Sequence, residues 1–445
     1  MLADGKADSL REFCHALHPA RTAEFMEGLT AEESWNVIQF SELNERVEIF
    51  GYFSPEKQQQ ILTEQNREQV ATLVAELAPD DRADILQDLD EEVLADLLGR
   101  LPLEERRDYL RLSQYPEGTA GAVMTTEVAK LGANLSVREA LEEIGRQTEQ
   151  YETIYYLYVV DDDNHLLGLL SARQLLANMK SPEAKISGIM ETDVVTSRVG
   201  DDQEDVANLV ARMDLLAIPV VDKEYKMLGI ITHDDVIDVV RDEATEDAHR
   251  IAAVDPLDES YLKTNLATLS WKRGMWLMIL FFFALVTAIA LQQFEDKLEQ
   301  WIWLGLFIPL VISSGGNSGT QTATLVITAL SRGHITLSDW FTIVKRELVM
   351  GVVLGLMLGL MGYLSTLLFD DVDTLSSHAL VIPITLVLVV MAGTMTGAIL
   401  PLLFEKIGLD PAMMSNPFVA GIIDIVGIVI YMNVAVWIMD APMGG

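Results

Sequence analysis

The chain after residue 270 contains five long apolar segments, which constrain its fold more than any other feature. A transmembrane helix needs about 20 predominantly apolar residues to cross about 30 Å of hydrocarbon. Each segment is long enough, so the sequence predicts an α-helical transmembrane domain with five spans. The segments lie near residues 274–292, 301–330, 343–369, 379–404 and 413–439.

Charged residues between the segments predict how the chain crosses the membrane. Lys and Arg are enriched in cytoplasmic loops. Here they precede the first span and lie between spans two and three and between spans four and five, whereas acids occupy the other two loops. We therefore expect a multi-pass protein of the plasma (inner) membrane, with the N-terminus in the cytoplasm and the C-terminus outside. The basic residues are Lys272, Arg273, Arg332, Lys345, Arg346 and Lys406, and the acidic loops include Glu295, Asp296, Asp370, Asp371 and Asp373.

Negative charge is concentrated before the apolar segments. The formal net charge is −36, and only 12 of the 67 acidic residues follow residue 270. Such a surface repels nucleic acid, so we expect no nucleic-acid partner. Two interpretations stay open, ordinary solubility or a region that collects cations. The single cysteine, Cys14, excludes a disulfide framework and cysteine-based zinc or iron–sulfur sites.

Two regions precede the membrane segments. In residues 1–121, apolar residues recur at three- and four-residue spacing, which predicts a stacked-helix domain. Residues 122–241 contain an internal repeat, and each copy predicts a helix, a β-hairpin and a closing helix. The repeat resembles a tandem pair of CBS domains. Segments 123–126, 159–161 and 168–171 parallel segments 189–192, 220–222 and 229–232.

The CBS resemblance implies a possible nucleotide site. CBS pairs often bind adenine nucleotides through a hydroxyl residue that is followed three positions later by Asp. Thr232 and Asp235 match this pattern, whereas Ser171 is followed by Gln174. The resemblance therefore implies that ATP binds through Thr232 and Asp235. The alternative is a CBS pair that serves only as a dimerising hinge.

Asp424 is the candidate site in the membrane. It is the only deep charge in the predicted spans, with apolar neighbours on both sides and no basic residue there to pair with it. An acid at the bilayer centre costs roughly 2.5–3.5 kcal/mol on insertion scales. One interpretation is a protonated carboxyl, hydrogen-bonded between helices. The sequence favours the other, a carboxylate that faces a wet pore.

The second span is rich in small and polar residues. Pro309 is followed by Gly, Ser and Thr in residues 313–324, which permit either close helix packing or a break in the helix. Asn416 and Pro417 mark a second expected break. One carboxylate with carbonyls, an amide and water makes a hard oxygen site, which suits hydrated Mg²⁺. A two-fold dimer would bring two copies of Asp424 to one axis.

Taken together, the chain resembles the MgtE family of Mg²⁺ channels over essentially its whole length. The resemblance implies a homodimer whose pore binds hydrated Mg²⁺ at Asp424 and the carbonyl of Ala420, lined by Asn416. Asp410 corresponds to a family acid in Leu-Asp-Pro. Thr320 departs from the family, which more usually has Asn there. The predicted fold comprises an all-α N-terminal domain (1–121), tandem α/β CBS domains (122–185 and 186–241), a linking or plug helix (242–268) and a five-helix transmembrane domain (269–445).

The linking region is acidic, and four of its acids share one helical face. Like charges at this spacing each cost about 0.2–0.5 kcal/mol, so a bound dication would relieve them. The resemblance implies regulatory Mg²⁺ sites and a feedback gate that high cytosolic Mg²⁺ closes, with Mg²⁺ imported when the gate is open. The regulatory ligands that it implies are Asp80, Asp84, Asp202, Glu204, Asp214, Asp235, Asp238, Glu243, Glu246 and Asp247.

Other functions compete with Mg²⁺ transport as interpretations of this sequence. An intramembrane metalloprotease needs a His-Glu-x-x-His helix, which the spans lack, so we expect no enzyme. An anion channel would want basic residues along its pore. A broader divalent-cation transporter (Mn²⁺, Co²⁺) and a CBS nucleotide sensor with a membrane anchor stay open, as does the choice between channel and carrier. The expected partners are a second copy of the chain, Mg²⁺ and membrane lipid.

Overall fold

The computed structural model describes residues 7–147, 151–257, 261–262, 264–367, 377–413 and 416–440. The chain divides into two compact units, Met1–Val240 and Arg241–Gly445, and each is described by itself. The acidic loop predicted at Asp370, Asp371 and Asp373 lies outside the described residues.

The first unit begins with a stack of short helices. Most helices contact the helix two places further along the chain, as α2 does α4 and α7 does α9, so the predicted stacked-helix domain is confirmed. In the described residues before Gly118 these helices are α1 Ala7–Ala16, α2 Pro19–Met26, α3 Ala31–Ile38, α4 Leu43–Gly51, α5 Pro55–Glu64, α6 Arg67–Ala75, α7 Pro79–Gln87, α8 Glu91–Arg100 and α9 Leu103–Leu112.

Arginine side chains hold successive helices together. Arg46 of α4 donates to the carbonyls of Ile38 and Gln39 at the end of α3. Arg82 of α7, only 3% exposed, donates to the carbonyls of Val74, Ala75 and Leu77 at the end of α6. The last carbonyls of a helix lack intrahelical donors, so these guanidinium groups complete the helix ends and fix the angle of the next helix.

The two CBS halves follow, each with its own three-stranded sheet. In each sheet the first strand pairs parallel with the second, and the second and third form an antiparallel hairpin. The predicted helix, hairpin and closing helix are confirmed in both halves, and the short first strands are additional. The elements are α10 Ala120–Val123, β1 Val128–Gly132, α11 Val137–Gln147, β2 Thr153–Val160, β3 Leu166–Ser171, α12 Ala172–Ala177, β4 Ser197–Arg198, α13 Gln203–Met213, β5 Ala217–Val221, β6 Met227–Thr232 and α14 His233–Ile251.

The linking segment differs from the expected helix over 242–268. Helix α14 crosses residue 242 without interruption but ends at Ile251. Ala253 then adopts φ 58°, and Pro256 follows shortly after. A left-handed residue ends a helix, and proline disfavours helical geometry in the residue before it. The segment is therefore helical up to Ile251 and irregular from 252 to 257.

In the described part of the second unit, five long α-helices and one short one follow α14. Helix α17 contacts α19 and α20, and α18 contacts α19. Among the described residues, four segments are long and apolar enough to cross a membrane: Leu266–Gln292, Leu337–Thr366, His378–Lys406 and Asn416–Met439. The helices are α15 Leu266–Gln292, α16 Glu295–Gln300, α17 Trp303–Ser331, α18 Trp340–Thr366, α19 Val381–Lys406 and α20 Asn416–Met439.

Helix α17 is unbroken through its small-residue stretch, so of the two possibilities left open here the structure has close packing. A Cβ on Gly315 would lie 2.4 Å from Val389 Cγ1, and one on Gly397 would lie 2.2 Å from the carbonyl oxygen of Gly319. Any larger residue would push α17 and α19 apart. The second expected break is a helix start, because α20 begins at Asn416 and Pro417 is in its first turn.

Candidate cation pathway and acidic sensor

Asp424 is half-buried on α20 and faces α17. A Cβ built on Gly316 of α17 would lie 3.8 Å from Asp424 Oδ1 and 3.6 Å from Ala420 Cβ. Glycine at 316 therefore leaves a small space beside the carboxylate. Within the described residues, Asp424 has no hydrogen-bond or ion-pair partner, unlike the hydrogen-bonded carboxyl that the alternative interpretation required.

The predicted membrane ligands share one face of α20. Asn416, Ala420 and Asp424 are spaced four residues apart, and a spacing of four places side chains on one side of a helix. Asn416 Nδ2 donates to Thr324 Oγ1 on α17 at 3.0 Å. The side chain of Thr320 donates within α17, to the carbonyl of Asn317 at 3.0 Å. The two helices therefore carry facing polar rows.

Helix α17 also presents a polar stripe that its own chain leaves uncovered. Ser313, Asn317 and Gln321 are spaced four residues apart and are exposed. Asn317 Nδ2 donates to Ser313 Oγ at 3.2 Å, so part of the stripe is satisfied locally. An exposed amide row is costly against hydrocarbon. Water or another polar surface is the environment that suits this face.

Glu347 is an acid at membrane depth that the sequence analysis missed. It lies within the candidate span Leu337–Thr366, so Asp424 is not the only deep charge. Thr322 Oγ1 donates to Glu347 Oε2 at 2.9 Å, and Thr394 Oγ1 donates to the Glu347 carbonyl at 3.2 Å. Glu347 thus joins α17, α18 and α19. Its position beside Lys345 and Arg346 made it look like part of the basic flank.

Asp410 lies in the loop before α20, and both of its carboxylate oxygens make contacts. Its Oδ1 accepts from the Ala412 N–H at 2.7 Å, and its Oδ2 contacts the guanidinium of Arg250. Arg250 also contacts Glu246, one turn earlier in α14. Asp247 accepts from Ser331 Oγ at 3.2 Å. Burial, followed by the charge of Asp410, raises the pKa of Asp247.

Acids of the stacked-helix domain and the CBS pair face each other inside the first unit. We call Asp80, Asp81, Asp84, Glu152, Asp234, Asp235 and Asp238 the acidic face. Asp80 is 7% exposed and its Oδ1 has no partner in the part of the chain that is described. Burial and then Asp235 raise the pKa of Asp80 well above its usual range. Four predicted regulatory residues, Asp80, Asp84, Asp235 and Asp238, therefore meet here.

Other members of the acidic face show the same repulsion. Asp84 keeps contact with solvent, yet burial and then Asp81 raise its pKa to about 7. Burial and then Asp235 raise the pKa of Glu152, also solvent-exposed, to about 7. Burial raises the pKa of Asp235 to about 6 against two hydrogen bonds from Thr232 that lower it. Among the described residues, no three His, Cys, Asp or Glu side chains are close enough to hold a metal ion.

Two further predicted regulatory acids lie at the ends of helix α13. Asp202 caps α13, since its Oδ1 accepts from the Glu204 N–H at 2.9 Å. Asp214 ends α13 in the left-handed region, at φ 52°. Glu243 is half-buried on α14. The structure gives Asp202 and Asp214 local roles at the ends of one helix.

The CBS halves differ at the predicted nucleotide residues. Thr232 Oγ1 donates to Asp235 Oδ2 at 2.6 Å, so the pair is formed. In the first half, Ser171 and Gln174 form a capping box, and Gln174 Nε2 donates to Glu191 at 2.6 Å. The first half therefore presents an amide and a carboxylate where the second half presents the Thr232 and Asp235 pair.

Known proteins resemble the chain in both units. Family profiles described as "Divalent cation transporter", "MgtE intracellular N domain" and "CBS domain" match residues 308–434, 17–118, and 120–181 with 186–242. The "Magnesium transporter MgtE" of Thermus thermophilus is 40% identical over 333 residues, 74% of this chain and 72% of that protein.

Two solved structures each match just over half of the chain. The soluble part of a magnesium transporter has a TM-score of 0.52 and 36% identity, and it covers 55% of this chain and 95% of its own. The cytosolic domain of the Mg²⁺ channel MgtE in complex with ATP has a TM-score of 0.51 and 34% identity, and covers 54% and 96%. These relatives are transporters, not enzymes. The chain belongs to the MgtE family of transporters.

Proposed function

We propose that this protein carries Mg²⁺ across the membrane into the cytoplasm along a path lined by Asp424, Ala420 and Asn416. The observation that carries the proposal is the unpaired Asp424 carboxylate beside the space left by Gly316. Mg²⁺ usually keeps several waters while it contacts one or two carboxylates, which matches one acid flanked by carbonyl and amide oxygens. The family relatives named as magnesium transporters support the choice of ion.

The path is completed by a second copy of the chain. The exposed polar stripe of Ser313, Asn317 and Gln321 needs a polar environment at membrane depth. A two-fold homodimer with this face at its axis would enclose water and place two Asp424 carboxylates around one hydrated ion. Helix α17, which corresponds to the second predicted span, is not among the four segments that are apolar enough to cross a membrane, and its polar stripe accounts for this. We propose that α17 is the fifth span.

With five spans, the N-terminus lies in the cytoplasm and the C-terminus outside, in the plasma (inner) membrane. Lys272 and Arg273 in the first turns of α15 and Lys406 at the end of α19 then face the cytoplasm. The predicted domain boundaries belong to the same proposal, with the linking segment 242–268 helical only up to Ile251. Cytoplasmic Mg²⁺ reaches the first unit directly in this orientation.

Mg²⁺ closes the path through the acidic regulatory residues. The acidic face holds several carboxylates whose raised pKa values report mutual repulsion and burial, and a dication would relieve both. Moving a gate from 1:99 to 99:1 takes about 5.5 kcal/mol of differential binding. Several weak sites per subunit could supply this together. The ligands are drawn from the ten acids named above, with Asp81, Glu152 and Asp234 as neighbours.

ATP is the second ligand that we propose. The pair formed by Thr232 and Asp235 matches the expected ribose and phosphate contacts, and a related cytosolic domain was solved with ATP. Because Asp235 belongs to the acidic face, nucleotide and Mg²⁺ would act on the same region. Titration of the full chain with ATP, compared with an Asp235→Asn variant, tests this: equal affinity in both proteins would exclude the site.

Flux into liposomes tests the transport path. Asp424→Ala should lower Mg²⁺ uptake to the background of empty vesicles, whereas Asp296→Asn, an exposed acid of α16, should leave it unchanged. Uptake by the Asp424→Ala protein equal to that of the wild type would exclude the path. A panel with Mn²⁺, Co²⁺ and Ca²⁺ separates a Mg²⁺-selective protein from a broader divalent-cation transporter, and ATP binding without flux would indicate an anchored nucleotide sensor.

A further inference from the structure

An ion pair joins the end of α14 to the loop before α20. The Arg250 guanidinium contacts the carboxylates of Glu246 and Asp410, the latter 160 residues away in sequence. All three side chains are about one-third exposed, at 33%, 33% and 31%. Partial shielding from water therefore strengthens the ion pair, and its remaining exposure lets water replace the contact when the pair separates.

Two further contacts hold this end of α14 in place. Asp247 accepts a hydrogen bond from Ser331 at the end of α17. Ile251 packs against a small apolar cluster formed by α17, α20 and the loop before α20. The cluster consists of Ala323, Ile327, Ala412 and Val419. The last turn of α14 thus lies against the helices that carry the proposed path.

Arg250 places a positive charge directly against the Asp410 carboxylate. Asp410 Oδ1 already accepts from the Ala412 N–H, and Oδ2 meets the guanidinium. A guanidinium presents five donors in a planar fork, so it can bridge two carboxylates at once. The guanidinium neutralises Asp410 and repels a divalent cation that approaches the same carboxylate, so binding of the cation there favours release of Arg250.

We propose that Arg250 is an internal cation that locks α14 onto Asp410 and must leave before a divalent cation can pass that acid. This inference rests on the proposed transport of Mg²⁺. The lock competes with the permeating ion for one carboxylate, so it stabilises the closed path together with Mg²⁺ bound at the regulatory acids. Glu246 keeps the guanidinium aimed at Asp410.

The first test is Mg²⁺ flux measured with inhibiting Mg²⁺ on the cytoplasmic side. Arg250→Gln should raise the flux by up to about five-fold, since a partly exposed ion pair contributes up to about 1 kcal/mol. The exchanged pair Arg250→Asp with Asp410→Arg should restore wild-type inhibition. Arg273→Gln, which removes an equal charge from an exposed position, is the control and should change nothing. Arg250→Lys keeps the charge, so it should inhibit more than Arg250→Gln.

A second measurement separates the lock from transport. Spin labels at Ala248→Cys and Leu409→Cys, in a Cys14→Ser background, report the distance between α14 and the loop in the full protein. Arg250→Gln should broaden that distance distribution. If Arg250→Gln alters neither flux nor distance, the lock is wrong. If the distance broadens in a protein that carries no Mg²⁺, the proposed function fails while the lock stands.

Discussion

Alanine substitutions at two adjacent glycines of α17 should have different consequences. Gly315 faces α19, where an added Cβ would lie 2.4 Å from Val389 Cγ1 and 2.9 Å from Ile423 Cγ2. Gly316 faces Asp424, where its nearest neighbour would be 3.6 Å away, in ordinary contact. Alanine should therefore damage the fold at 315 and the ion path at 316.

The magnitudes follow from packing and backbone terms. Overpacking a helix contact costs about 1–3 kcal/mol, and Val389 is β-branched and cannot easily rotate away. Replacing a helical glycine by alanine gains about 1 kcal/mol. Gly315→Ala should then lose up to about 2 kcal/mol of stability, whereas Gly316→Ala should be as stable as the wild type or more so.

The ion path should respond in the reverse order. A methyl group at 316 occupies the space beside the Asp424 carboxylate, where we place water of the hydrated ion. A barrier increase of about 1.4 kcal/mol there would lower Mg²⁺ flux about ten-fold. Thermal unfolding in detergent and flux into liposomes, measured on both variants, separate the two effects. Wild-type flux in a stable Gly316→Ala protein would refute the assignment of this helix face.

Three further predictions concern stability. Burial and neighbouring acids raise the pKa of Asp84 to about 7. Between about pH 4 and 7 the folded state therefore holds a proton that the unfolded chain releases, so the stability of the folded state falls as the pH rises through this range. Without Mg²⁺, Asp84→Asn should therefore raise the Tm more at pH 8 than at pH 5, and an equal rise at both would contradict it. Arg82→Ala should cost at least about 2 kcal/mol because three carbonyls lose a charged donor, whereas the exposed Arg107→Ala should cost under about 0.5 kcal/mol by denaturant unfolding. Glu347→Ala should lose about 1 kcal/mol and Glu347→Gln less, since Gln keeps an acceptor for the threonine hydroxyl; equal losses in detergent unfolding would exclude that role.

The features that the sequence predicted well are those with local periodicity. The apolar segments and the CBS repeat are read from neighbouring residues, and the structure confirms the fold that they indicate. The state of α17 was ambiguous because Gly, Ser and Thr permit both a break and close packing. Gly393 and Gly397, more than 70 residues away, decide between them by letting α19 approach.

The site was harder to predict because its members are distant in sequence. Glu152 stands alone before β2, and only the fold brings it to Asp80 and Asp235. The contact between Arg250 and Asp410 likewise has no local signal. Asp424 was predictable because it is an ionisable residue in an apolar segment. Such a residue can be recognised from the sequence without any knowledge of its contacts.

Helix α7 combines a structural arginine with the acids of the proposed sensor. Arg82 donates three hydrogen bonds to carbonyls at the end of α6, while Asp80, Asp81 and Asp84 lie on the same nine-residue helix. The acids therefore cannot escape repulsion by rotating α7, because rotation would break those bonds. Repulsion between the acids on α7 and the other acids of the acidic face must instead displace α6 and α7 as one rigid pair. The arginine thus converts a local electrostatic force into movement of a larger body, and a sensor whose helix could roll freely would lose that conversion.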